Sequence, residues 1–183
     1  MALPKNGWLF SLRRDSSEWG DYEIFHHWMF DEVERSGDDT ILDLKVFGTT
    51  FNQGTQLRIG DGLAIYHNNK AIFPHDDIYK RRPRISLVGE ILSVEQKGRK
   101  VRRVKIKTSN LVYAALLTHP FLRADGNEAV FERIFNPTRQ VAFRPIFEKE
   151  WAAITGHIDK VIADQRNELK QLWPKYIDKF KLS

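Results

Sequence analysis

The chain contains no cysteine among its 183 residues, which excludes disulfide bonds, thiolate metal sites and a cysteine nucleophile. It also has no apolar run close to the roughly 20 residues that a membrane-spanning helix requires. Residues 1–12 lack the apolar segment and the small-residue cleavage site of a signal peptide. We therefore expect a cytoplasmic protein with no membrane partner.

Common catalytic signatures are missing as well. The sequence has no His-Glu-x-x-His motif, no glycine-rich phosphate loop and no Gly-x-Ser-x-Gly nucleophile elbow. His26 and His27 are adjacent, so on a helix their side chains diverge by about 100 degrees and cannot share a metal without ligands from elsewhere. These absences argue against dinucleotide and nucleotide-triphosphate chemistry, and we expect neither a cofactor nor a bound metal.

Positive charge is concentrated in one part of the chain. Residues 80–107 contain eleven basic and two acidic residues, which leaves 18 basic and 22 acidic residues in the rest of the chain. Such a cluster is typical of a protein that binds the phosphate backbone of nucleic acid. With 42% hydrophobic residues, the chain can bury roughly two thirds of its unfolded surface as one domain, with or without an appendage.

Two basic segments stand out. If residues 101–107 form a strand, Arg103, Lys105 and Lys107 project from one face while valine and isoleucine project from the other. This row of cations either contacts phosphates or is a solvated face that discourages edge-to-edge aggregation. Residues 80–84 carry four more cations around one proline and no acidic partner, which favours a polyanionic ligand. The candidate phosphate contacts are Arg58, Lys80, Arg81, Arg82, Arg84, Arg103, Lys105 and Lys107.

Hydrophobic periodicity and turn residues predict an α+β fold. The predicted strands cover residues 7–12, 40–47, 85–94, 101–107 and 140–145, and residues 58–67 are predicted to form a tight turn that feeds a buried strand. The predicted helices cover residues 22–33, 110–118 and 127–135, and the apolar residues between 151 and 172 fit one or two amphipathic helices. We expect a break or kink at Gly156 and a helix stop at Pro174. A polar segment at 48–56 is a candidate binding loop.

Several short motifs occur in an order that resembles the EVE domain of the PUA-like superfamily, which is related to YTH and ASCH domains. They are Trp8 in the first strand, Leu57-Arg58 before Gly60-Asp61, Ile65-Tyr66-His67, Val88-Gly89-Glu90-Ile91, and Phe135-Asn136-Pro137 before the last strand. The resemblance covers roughly residues 7–145. The chain departs from the family pattern at 47–52, where a Trp-Gly-Val-Arg-Asn run is common, and at Asn68, where serine is common.

The resemblance implies a PUA-like small mixed β-barrel with flanking helices at 1–146, and a C-terminal helical extension at 147–183 packed on the barrel. It also implies a non-catalytic domain that binds DNA or RNA and admits a flipped, often modified base to an aromatic pocket. The large aromatic residues have a structural alternative, because such side chains usually belong to the core. The candidate pocket residues are Trp8, Trp28, Phe47, Thr49, Asn52, Tyr66, His67 and Asn68.

Two other functions remain open from the residues. Asp76 or Asp77 together with Glu95 and Lys97 loosely matches a metal-dependent nuclease, in which carboxylates orient a magnesium ion on the scissile phosphate. Alternatively, the C-terminal helices form a protein-interaction module for an effector protein or for a homodimer.

Overall fold

A computed structural model describes residues 4–12, 39–46, 57–67, 84–98, 100–122 and 143–181. Side chains are described in these ranges except at 12, 67, 122 and 172–181. The predicted helices at 22–33 and 127–135 and the loop at 48–56 lie outside the described residues. No helix in the described ranges is both long enough and apolar enough to cross a membrane.

Seven strands and two helices make up the described fold. The strands are β1 (Gly7–Leu12), β2 (Asp39–Lys45), β3 (Gly62–His67), β4 (Arg84–Lys97), β5 (Lys100–Ser109), β6 (Phe121–Leu122) and β7 (Phe143–Ile146). The helices are α1 (Asn110–Thr118) and α2 (Glu148–Lys181). The predicted α+β class is therefore confirmed.

One mixed sheet organises these strands. Its order is β2-β5-β4-β3-β1-β7, and the short β6 pairs with β4. β1 and β3 run parallel, whereas the other pairs are antiparallel. Within the described ranges the sheet does not close on itself, because β2 and β7 each pair with one neighbour only. The closed barrel therefore stays a prediction.

Glycines fix two turns and one close approach in this sheet. Gly60 and Gly98 adopt φ angles of +89° and +62°, a left-handed conformation that costs other residues about 1 kcal/mol or more. Gly89 lies in β4 against β5, where a Cβ atom would stand 2.6 Å from the carbonyl oxygen of Lys107. The predicted strands at 85–94 and 101–107 are both confirmed, and they pair as antiparallel neighbours on either side of Gly98.

Alternating side chains divide the core between the two faces of the sheet. Trp8 and Phe10 of β1 pack in one cluster with Leu63 and Ile65 of β3. Leu9 packs in the other cluster, which also contains Trp151 and other apolar residues of α2. The helices thus cover the second face, while the first face is filled by side chains of β1 to β5, β7 and α1.

The C-terminal helix differs from its prediction at two positions. Gly156 does not break it, because Ile154 and Ile158, one turn apart on either side, are both buried and a continuous helix satisfies both contacts. The non-helical residue is instead Gln165, with φ −130° and ψ 20°. Pro174 does not stop the helix either, and α2 continues to Lys181. An interior proline removes one backbone hydrogen bond, which lowers helix stability without forcing an end.

Candidate nucleic-acid interface

A cleft of about 760 Å³ opens at the end of the sheet where the interior strands β1 and β3 begin. Its volume lies within the roughly 300–1,000 Å³ that is usual for small-ligand pockets. It combines an aromatic residue, aliphatic residues, two cations and two carboxylates. The lining residues are Lys5, Asn6, Gly7, Trp8, Leu57, Arg58, Asp61, Pro145, Ile146 and Glu148.

Asp61 connects the two chain segments that form one wall of the cleft. Its Oδ2 accepts a hydrogen bond from the indole Nε1 of Trp8 at 3.0 Å and one from the backbone N–H of Arg58 at 3.3 Å. The Trp8 side chain is only 7% exposed, so its indole edge is held in place by the carboxylate and its rings by the core. The Gly-Asp turn and the first strand are therefore joined through one side chain.

The turn that carries Asp61 is also fixed to its neighbours by backbone hydrogen bonds. Gly60 donates to the carbonyl oxygen of Ile91 at 2.9 Å, and Ile91 donates to that of Asp61 at 2.8 Å. Gly62 donates to the carbonyl oxygen of Asn6 at 2.7 Å. Because these bonds join the turn to both β4 and the segment before β1, the cleft wall is held from two sides.

Trp151 of α2 packs against the first residues of β1 and β3, at the end of the sheet where the cleft opens. Gly7 and Gly62 are paired in register, and the indole ring lies directly over both of them. Its Nε1 donates a hydrogen bond to the carbonyl oxygen of Pro4. The glycine pair therefore lets the helix approach the strands, and the helix in turn positions the residues on either side of the cleft.

The start of α2 brings a carboxylate to the cleft. Glu150 accepts a hydrogen bond from the backbone N–H of Phe147 at 2.8 Å, as the N3 residue of a capping box does. This contact fixes the beginning of the helix, and Glu148 lies in its first turn. Lys5 and Arg58 are exposed cations on the same cleft, so it presents charges of both signs.

The structure brings together only part of the predicted base pocket. Trp8 and Arg58, predicted as a base-contacting and a phosphate-contacting residue, both line the cleft. Tyr66 is fully buried in the cluster on the opposite face of the sheet, so it does not share a pocket with Trp8. The backbone of His67 ends β3, about 17 Å from Gly62 at a rise of roughly 3.3 Å per residue. Outside the described residues lie Trp28, Phe47, Thr49, Asn52 and Asn68.

The predicted basic loop is anchored at the end of the sheet away from the cleft. Arg84 begins β4 opposite His67, and its side chain is 7% exposed and engaged within the protein. That burial does not fit the predicted phosphate contact, for which a solvent-facing cation is needed. Lys80, Arg81 and Arg82 lie outside the described residues.

The predicted row of cations on β5 does share one face of the sheet. Lys105 is exposed between Arg103 and Lys107 on that face, as alternation predicted. Acidic residues of β2 accompany them: Arg103 lies 3.5 Å from Asp43, and Lys107 lies 2.8 Å from Asp39. We call Arg103, Lys105, Lys107 and these two aspartates the β5 surface. Two of its three cations are matched by neighbouring carboxylates, so it offers a weaker field to a polyanion than the sequence alone indicates.

One titrating group on the β5 surface is perturbed. The hydrogen bond that Lys107 donates to Asp39, followed by the negative charge of Asp39, raises the pKa of Lys107 above the ordinary 10.5. The shift follows from stabilisation of the ammonium form. Lys107 therefore stays charged throughout the physiological range, but in a structural ion pair.

The residues of the nuclease alternative are not assembled in the described structure. Glu95 and Lys97 are exposed near the end of β4, and Asp76 and Asp77 lie outside the described residues. Within the part of the chain that the structure describes, no three His, Cys, Asp or Glu side chains are grouped so that they could hold a metal ion.

The apolar residues of α2 are used inside the molecule. Trp151, Ile154 and Ile158 pack against the sheet, and Val161 and Leu169 pack with two alanines of α1. These side chains therefore stabilise the fold, and their periodicity needs no partner helix to explain it.

Four polar residues that line the cleft were not predicted as site residues. Lys5, Asn6 and Glu148 belong to segments outside the motifs, and Asp61 was identified only as part of the Gly60-Asp61 motif. The signal for Asp61 was its place in the Gly-Asp-Gly turn next to Arg58, but its partner Trp8 is 53 residues away.

Neither a protein-family model nor a curated protein matches this chain.

Proposed function

We propose that this chain is a PUA-like, EVE-type domain that binds nucleic acid without cleaving it and admits one base, modified in its physiological target, to the cleft beside Trp8. The observation that carries this proposal is the combination in one cleft of two exposed cations, Lys5 and Arg58, with the carboxylate of Asp61 that the largely buried Trp8 holds in place. A polar group of fixed position suits the edge of a base, and cations suit the phosphates on either side of it.

The energies of base stacking and of base extrusion indicate that binding needs phosphate contacts as well. Stacking on an aromatic side chain contributes about 1–3 kcal/mol per base, and extrusion of a base from a duplex costs a few kcal/mol. Because Trp8 is only 7% exposed and packs in the core, it offers a small part of that stacking energy, and stacking does not offset extrusion. Phosphate contacts must supply the remaining affinity, and a single-stranded target removes most of the cost.

Of the two basic surfaces, the cleft is the better phosphate site. Arg58 is exposed and its backbone is fixed by the Asp61 turn. On the β5 surface, by contrast, two of the three cations already contact aspartates. The proposal therefore assigns the phosphate contact to Arg58 and gives the β5 surface a structural role.

The test compares Arg58→Ala with Lys160→Ala, an exposed cation of α2 that does not line the cleft. Affinity for single-stranded DNA and RNA is measured by fluorescence anisotropy over a series of salt concentrations. We expect Arg58→Ala to weaken binding about threefold to tenfold for every sequence. We also expect it to reduce the slope of log K against log salt by about 0.7.

The control Lys160→Ala should leave both the affinity and the slope at wild-type values. Equal effects of the two variants would mean that only net charge matters, which contradicts a phosphate site at the cleft. Absence of binding by the wild-type protein at low salt would contradict the proposed function itself.

A further inference from the structure

The Asp61 carboxylate has two chemically equivalent oxygens in unequal surroundings. Both of the side-chain hydrogen bonds that position it, from Trp8 and from the backbone of Arg58, go to Oδ2. Within the described part of the chain Oδ1 has no hydrogen-bond partner, and Asp61 lines the cleft while only half-buried. One oxygen is therefore structural, and the other is available to a ligand.

The orientation of this carboxylate is fixed by its donors. The indole belongs to a nearly buried side chain, and the second donor is a backbone N–H in a turn that is itself bonded to β4. Turning the carboxylate away would leave both N–H groups without their partner, which costs more than an ordinary surface hydrogen bond. Asp61 therefore offers the cleft an acceptor of defined position.

An ionised carboxylate accepts hydrogen bonds and donates none. Adenine and cytosine carry an exocyclic amino group, whereas hypoxanthine and uracil carry a carbonyl oxygen at the same ring position. The amino group donates to a carboxylate, as in known contacts between acidic residues and cytosine N4. The carbonyl oxygen would instead face the carboxylate as a second acceptor and be repelled.

Resting on the function proposed above, we propose that Asp61 is the specificity residue of the cleft and selects a base that bears an exocyclic amino group. Methylation of an adenine at N6 leaves one N–H on that nitrogen, and methylation of a cytosine at C5 leaves its amino group intact. The contact therefore tolerates these modifications, and other walls of the cleft would have to distinguish them.

The decisive variant is Asp61→Asn, which keeps the size and shape of the side chain. Trp8 and Arg58 still require an oxygen acceptor, so the amide oxygen takes the place of Oδ2 and the NH₂ group takes the place of Oδ1. The group presented to the cleft thereby changes from acceptor to donor. The preference should reverse towards bases with a carbonyl oxygen.

A matched control separates base selection from net charge. Asp159→Asn removes the same negative charge from an exposed position of α2 that does not line the cleft, without touching the Trp8 and Arg58 contacts. It should leave the ranking of the oligonucleotides unchanged, because a lost surface charge acts on phosphates and not on base edges.

The measurement is a competition assay with single-stranded oligonucleotides that differ at one position, cytosine against uracil and adenine against hypoxanthine. The wild-type protein should prefer the amino-bearing base about tenfold, Asp159→Asn should keep that ratio, and Asp61→Asn should invert it. Binding with equal affinity for both members of each pair in the wild type would overturn the role of Asp61 while leaving nucleic-acid binding intact.

Two further outcomes are distinguishable. If the wild type prefers the amino-bearing base and a folded Asp61→Asn variant keeps that preference, another residue selects the base and the inference fails. If no oligonucleotide binds any variant at low salt, the proposed function fails first. If Asp61→Asn does not fold, as judged by its thermal unfolding, Trp8→Phe takes its place, because it removes the indole N–H that orients the carboxylate. The preference for the amino-bearing base should then weaken, and an unchanged ratio in a folded Trp8→Phe variant would overturn the role of Asp61.

Discussion

Replacement of Gly62 by alanine tests how closely α2 is packed on the strands that carry the cleft. A Cβ atom at this position would lie 2.2 Å and 2.5 Å from two atoms of the Trp151 indole, and 3.1 Å from the carbonyl oxygen of Asn6. Real Cβ atoms do not approach this closely, so either the ring or the strand must move. The Trp151 side chain is 3% exposed and its Nε1 is bonded to Pro4, which leaves the ring little freedom.

The expected loss of stability has two contributions. Overpacking of a filled core costs about 1–3 kcal/mol, and displacement of the indole from its hydrogen bond adds about 1 kcal/mol. Together they predict a loss of about 2–4 kcal/mol in the free energy of unfolding. For a chain of this length that corresponds to a decrease of roughly 4–16 °C in Tm.

A double-mutant cycle attributes the loss to the contact with Trp151. Urea unfolding followed by circular dichroism is measured for the wild type, Gly62→Ala, Trp151→Leu and the double variant. In the Trp151→Leu background, Gly62→Ala should cost less than about 1 kcal/mol, because leucine lacks the ring atoms that meet the new methyl group. An undiminished cost in that background would refute the packing argument.

Two further predictions concern sites away from the cleft. Gly156→Ala should raise the free energy of unfolding by about 0.5–1 kcal/mol, since this helical glycine is exposed with nothing within 4 Å of an added Cβ. A decrease in the free energy of unfolding in the same urea assay would contradict a continuous helix there. The stabilisation from Lys107 and Asp39 should be fully present below the ordinary lysine pKa of 10.5 and disappear as pH rises through the raised pKa of Lys107. Comparison of the wild type with Asp39→Asn from pH 8 to 12 measures this, and a difference that grows with pH would contradict it.

The sheet was largely predictable because period-two alternation and turn glycines are local signals. Residues 103–107 alternate between solvent-facing cations and buried aliphatic residues, and the structure confirms both faces there. Gly60 and Gly98 mark turns whose positive φ angles favour glycine. The helix at Asn110–Thr118 was predicted with its correct limits, since a serine side chain caps its first turn.

The course of α2 was less predictable because tertiary contacts override local propensity. Gly156 weakens a helix in isolation, but the buried isoleucines on either side of it keep the chain helical. The non-helical residue is Gln165, whose side-chain amide lies 3.3 Å from Nε2 of His119 at the end of α1. Nothing in the local sequence signals a contact over 46 residues.

The cleft could be predicted only in part, because contacts between segments that are distant in sequence assemble it. Trp8 and Arg58 were identified because an aromatic residue and a cation are chemically conspicuous. Lys5, Asn6 and Glu148 join them only because β1 pairs with β3 and β7 and because α2 begins beside β7. Tyr66 was assigned to the same pocket as Trp8, but the alternation of β3 directs it to the opposite face.

Ultraviolet cross-linking of the bound protein tests most directly whether nucleic acid occupies the cleft. Unmodified single-stranded oligonucleotides are cross-linked to the wild-type protein, and the attached peptides are identified by mass spectrometry. The account predicts cross-links within residues 5–8 or 57–61, which line the cleft, and their loss when excess unlabelled oligonucleotide competes. Cross-links confined to the β5 surface, with none at the cleft, would contradict it.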